Sequence, residues 1–186
     1  MDKVLSAIVE IINSLVSNNE SPLYFDGKPV ATTDTPHGVR RVFYGDPQQI
    51  PSDDFPCISV RPVNSKIVSE GTRTDTWEHV VEVIIIENLR NYSESVPDDP
   101  SKVQSLVTMM DMMEKTNDNM VKDATSIVGA MITPLNQRLP YQNSGTKYAA
   151  VRVRHDAVDY VFNSSRGFPT FEVVATFTVT AKSDRA

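Results

Sequence analysis

Residues 3–17 place Val4, Leu5, Ile8, Ile11, Ile12, Leu15 and Val16 three and four positions apart, with Glu10 and Asn13 on the other side. Apolar side chains at that spacing share one stripe of an α-helix, so the pattern predicts an amphipathic helix ending near Ser17-Asn18-Asn19. The pattern then breaks. Pro22, Gly27, Pro29, Pro36, Gly38, Pro47, Pro51 and Pro56 forbid a long helix over 19–56 and leave two short apolar pieces, Leu23-Tyr24-Phe25 and Val39 to Tyr44. Asp26-Gly27 suits a tight turn and predicts a small projecting hairpin at 22–31. The whole 19–56 segment reads as a loop or hairpin arm that reaches a neighbour.

Alternation with a period of two follows. From Pro56 to Val63, Ile58 and Val60 alternate with Ser59 and Arg61. Trp77, His79, Val81, Val83 and Ile85 share one face of a long strand, and Thr76, Glu78 and Glu82 share the other. Ile84 and Ile86 turn that second face apolar at its end, which requires a cover there. Gly71 suits the hairpin between these strands. Asn88 to Asp99 is polar and reads as a loop.

Asp99 fits a helix N-cap with Pro100 at the first helical position. Val103, Leu106, Val107, Met110 and Met113 then form a core stripe, interrupted at Thr116-Asn117-Asp118-Asn119 and resumed by Met120, Ala124, Ile127, Val128 and Met131. One kinked helix or two short ones fit this stretch, and Thr133-Pro134 ends it. Lys147 to Phe162 reads as a strand whose facing changes near His155-Asp156-Ala157, as at a bulge. Phe171, Val173, Ala175, Phe177 and Val179 alternate with Glu172, Thr176, Thr178 and Thr180 as a final strand. Strands on either side of a helical region predict an α+β fold. Its sheet is mostly antiparallel, with the N-terminal helix and a long central helix packed on one face.

Composition narrows the class. A chain of 186 residues suits a single domain, 1–186, and 40% hydrophobic with 23% charged residues is ordinary for a globular protein. Eighteen basic against 24 acidic residues give a net charge of −6, which ill suits tight binding to nucleic acid. The single cysteine, Cys57, allows neither an internal disulfide nor a cysteine zinc site. No stretch reaches the ~18 apolar residues of a membrane span. Met1-Asp2-Lys3 with Glu10 lacks a signal-peptide pattern, so Asn91-Tyr92-Ser93 and Asn163-Ser164-Ser165 read as chance matches in a cytosolic chain.

Candidate chemistry is sparse. Cys57, at a strand start, reads as a buried inert thiol. His37, His79 and His155 lack ligand spacing, and His79 cannot join Glu78 and Glu82 because neighbouring strand residues face opposite ways. Asp98-Asp99 fits helix capping better than paired catalytic carboxylates. Arg152, Arg154 and Arg166 with Arg40-Arg41 suggest either a basic patch or contacts with acidic neighbours. Met109 and Met112 widen the apolar surface of their helix, as plain core packing or as an adaptable protein contact. No phosphate loop, nucleophile elbow or dinucleotide fingerprint occurs. The residues therefore imply no catalytic, metal or cofactor site. They point to a protein-binding role, with Tyr24, Phe25, Arg40, Arg41, Tyr92, Met109 and Met112 as candidate contacts.

The order of elements resembles the bacteriophage tail terminator (tail completion) family. The features that carry the resemblance are the opening helix, the Phe55-Pro56-Cys57-Ile58-Ser59-Val60 strand entry and the strand from Trp77 to Glu87. The helix after Pro100 and the Phe168-Pro169-Thr170-Phe171 strand add to it. The resemblance implies a non-enzymatic virion protein, assembled in the host cytoplasm as a hexameric ring. Such a ring caps the tail tube, stops its polymerisation and joins the tail to neck or connector proteins, with DNA passing through the lumen without tight binding. The length of 19–56 and 133–147 leaves open a head–tail connector or neck subunit. A small metal-dependent hydrolase or nuclease using Glu78 and Glu82 is the alternative of another class.

Overall fold

The computed structural model describes residues 2–24, 38–47, 49–51, 54–72, 74–89, 100–133, 141–143, 146–148, 150–164 and 168–184. The opening stripe forms helix α1, Asp2–Val16, which buries Leu5, Ile8, Ile12 and Leu15. Four long or short strands and two helices follow: β1 Arg41–Tyr44, β2 Cys57–Glu70, β3 Thr74–Asn88, α2 Pro100–Met113, α3 Ile127–Ile132 and then β4 Tyr141–Asn143. The chain ends with β5 Thr146–Tyr148, β6 Ala150–Asn163 and β7 Thr170–Asp184.

The main sheet has the order β1-β2-β3-β7-β6, and β4 and β5 form a separate two-stranded hairpin. The contacts β2·β3, β3·β7 and β7·β6 are antiparallel, whereas β1 runs parallel to the start of β2. Gly71 lies in the β2–β3 turn as expected, with its N–H donating to the Thr74 carbonyl at 2.9 Å. The facing change near His155 is a register shift between His155 and Ala157.

The expected α+β fold with a long central helix does not form. The molecule is mostly a five-stranded mixed sheet, with 48% strand against 22% helix, and its helices are small. Short polar side chains explain the lost helix, because they offer the backbone competing partners. The Asn117 side-chain oxygen accepts the N–H groups of Asn119 and Val121, both at 3.0 Å. Asp123 accepts from the N–H and hydroxyl of Thr125, and Ser126 caps α3 by accepting the Gly129 N–H. The backbone between Met113 and Ile127 therefore closes on itself as a loop, with a bridge between Thr116 and Lys122.

One face of the sheet carries the main core. Ile58, Val60, Val81, Val83, Ile85, Val173, Ala175, Phe177 and Val179 pack there against α1, α3 and the methionines of α2. The opposite face is apolar only at one end, where Ile50, Phe55, Cys57, Ile84 and Ile86 form a second cluster with Phe168 beside it. The cover that Ile84 and Ile86 require thus comes from the segment just before β2. Phe55 meets Phe168 edge to face, with ring centroids 5.6 Å apart.

Candidate functional site

The sheet ends in two unlike edges. β1 is only four residues long and pairs with Cys57–Val60 of β2. Among the described residues no strand borders Arg61–Glu70 of β2 on its outer side, and β6 forms the opposite edge along its whole length. β2 carries Ile58, Val60, Val63, Ile67 and Val68, and β6 carries Val151, Val153, Val158, Tyr160, Val161 and Phe162, the β-branched and aromatic types that favour strands.

Six of the ten large apolar residues exposed among the described residues lie on these two edges: Val63, Ile67 and Val68 on β2, and Tyr160, Val161 and Phe162 on β6. Phe162 is 70% exposed and leans on Phe171, with ring centroids 5.0 Å apart, while Tyr160 stacks on the same ring at 6.5 Å. Ile67 pairs with Trp77, whose indole stacks on His79 at 6.1 Å. An exposed cluster at each edge is what distinguishes this surface from scattered single apolar residues.

The sequence-predicted contacts fall elsewhere. Phe25 and Tyr92 lie outside the described residues. Tyr24 is half-buried, its N–H donating to the Ser21 carbonyl. Met109 and Met112 are buried in the core, at 2% and 1% exposure, so packing is what they do here. Val107, expected in the core stripe, is exposed instead, because the apolar face of α2 is turned toward Met109, Met112 and Met113. Arg41 lies against the Phe43 ring and donates to Asp54 at 2.8 Å. Arg40 is half-buried near Glu87. Arg40-Arg41 and the Arg152–Arg154 pair border opposite edges of the sheet, so they form no single basic patch. Arg166 lies outside the described residues. The edge residues of β2 and β6 were missed because an exposed apolar residue in an alternating strand looks, in sequence, like one facing the core.

Several titratable groups are tied into the fold by structural partners. Glu82 accepts from Arg61 at 2.6 Å and Glu78 from Lys66 at 3.0 Å, so the two carboxylates tie β2 to β3 across the polar face. His79 hydrogen-bonds the Ser65 hydroxyl at 3.0 Å, and burial holds its pKa below the ordinary value. Burial also pushes His155 down, and its Nε2 has no hydrogen-bond partner among the described residues. Partial desolvation would raise the Asp156 pKa, but its hydrogen bonds from Thr178 at 2.5 Å and Arg154 at 2.6 Å outweigh it and hold the carboxyl below the usual carboxylate range. Cys57 is buried. Among the described residues no three histidine, cysteine or carboxylate side chains gather as a metal site. Asp98 and Asp99 lie outside them.

Glu87 is buried and, like His155, only partly partnered. Burial raises its pKa to about 7, opposed by the Asn88 N–H that it accepts and by the Arg40 charge, and its Oε2 has no hydrogen-bond partner among the described residues. No protein-family model matches this sequence, and no curated protein matches it. No described helix is long and apolar enough to cross a membrane.

Proposed function

We propose that this chain is a structural assembly protein that forms a homo-oligomeric ring, in the manner of a phage tail terminator subunit. Its role would be to cap the tail tube, stop further polymerisation and present a surface to the neck. The observation that carries the reading is the concentration of exposed apolar side chains on the two opposite edges of one sheet. Two different patches on one subunit favour heterologous contacts, and heterologous contacts close into rings when the rotation permits. The net charge of −6 suits a lumen through which DNA passes without being held.

Light scattering on a sizing column, across a concentration series, tests this. The expected result is a closed species of several subunits, about six, that negative-stain electron microscopy shows as rings. A one-subunit mass at every concentration would overturn the proposal.

A further inference from the structure

We propose that the ring contact is made by β6 of one copy packing antiparallel against Arg61–Glu70 of β2 in the next copy, with Tyr160 and Phe162 seated against Val63, Ile67 and Val68. This deepens the ring reading and rests on it.

Strand direction supports a second copy as the occupant. β2, β3, β7 and β6 alternate in direction across three antiparallel pairings, so β6 runs opposite to β2. A head-to-tail repeat that keeps every copy the same way up therefore sets β6 beside the next β2 as an antiparallel neighbour.

Facing supports it as well. Ile67 lies opposite Trp77, in line with Val81, Val83 and Ile85 on the helix-bearing face. Tyr160 and Phe162 lie opposite Val173 and Phe171, which belong to that same face. Rotation about a ring axis keeps like faces on the same side, so these apolar groups meet without turning either sheet over. A self-complementary two-fold contact would not need unlike edges.

The two clusters occupy diagonal corners of the sheet. Phe162 is level with Phe171 and Glu87, where β1 already covers β2, while Ile67 is level with Trp77 and Ala181. Neighbouring copies must then be staggered along the strands, and closed arrays of tilted strands require such a stagger. Pro62 and the register shifts at Pro62/Asn64 and Ile67/Ser69 interrupt any hydrogen-bonded ladder on β2. Association thus rests on side chains, which makes it open to substitution.

The test uses two variants, Tyr160→Glu with Phe162→Glu, and Ile67→Glu with Val68→Glu. Each keeps one intact edge. Each alone should lose the ring and run at the mass of one subunit, and an equimolar mixture should give a two-subunit species and nothing larger. Cooperative melting checks that each is folded; the single changes Phe162→Lys and Val63→Lys, at residues of the same contact, replace any pair that fails this control. Rings formed by either folded variant, or a mixture that stays at one-subunit mass, would overturn the edge pairing while wild-type rings leave the assembly reading intact. A wild-type protein of one-subunit mass would remove both.

Discussion

Gly129 sits where α3 passes under the loop that precedes it. A methyl group there would lie 1.7 Å from the Asp123 carbonyl oxygen, a backbone atom that cannot rotate away. Gly129→Ala must therefore move the 114–126 loop or α3, at a cost of about 3 kcal/mol. Chemical denaturation would show the midpoint falling accordingly; an unchanged midpoint would mean the loop yields freely. Glu87 makes a different demand. Its carboxyl takes up a proton near 7 in the folded chain and near 4.5 in the unfolded one, so the folded state holds more protons between those values. Stability should decline as pH rises from about 4.5, with the loss complete above about 7 and of order 3 kcal/mol. His79 and His155, whose pKa values burial lowers from 6.5, act with the opposite sign and weaken the fold as pH falls through that value. Denaturation midpoints of Glu87→Gln across this range should lack the decline and keep the acid-side loss. None of this was legible in the sequence. Glu87 stands in an alternating strand like any solvent-facing carboxylate, and only the fold brings Arg40 and the core around it.

The elements were read unevenly, for reasons that lie in their surroundings. α1 and β7 were legible because a single periodicity runs through each, and one buried face enforces it. The β6 bulge was legible because the extra residue it inserts lets Val153 and Val158, an odd and an even position, face the same core. β1 was not: four residues between prolines and glycines carry no period, and its parallel pairing depends on a β2 it cannot foresee. The central helix failed because its apolar spacing continues through Met120 while its hydrogen bonds do not. Met120 is 82% exposed at φ 60°, held by its N–H to the Asn117 carbonyl. Ser126 shows where helix resumes. Its hydroxyl accepts the Gly129 N–H at 3.2 Å and donates to the Asp123 carbonyl at 2.7 Å, inside the core. Ser126→Ala should cost about 1 kcal/mol from the cap alone. Thermal unfolding should record a lower midpoint, and an unchanged midpoint would mean that the cap contributes nothing to the fold.

For the whole molecule, net charge and exposed apolar edges act against each other. Each copy carries −6, so bringing copies into a ring costs repulsion that grows with the number of subunits. The proposed contact residues, Tyr160 and Phe162 on one edge and Val63, Ile67 and Val68 on the other, are uncharged, and on the β2 edge Arg61 and Lys66 are paired within the subunit to Glu82 and Glu78. Added salt has little attraction to screen at such a contact and considerable repulsion. Ring formation should therefore strengthen as sodium chloride rises from about 0.05 M to about 0.5 M, over which the screening length shrinks from more than 10 Å to about 4 Å. Sedimentation at fixed protein concentration should show the one-subunit fraction decreasing across that series. A contact built on intersubunit ion pairs would respond the other way, with rings dissociating as salt increases, and that outcome would move the interface from the apolar edge clusters to the charged face around Arg152 and Arg154.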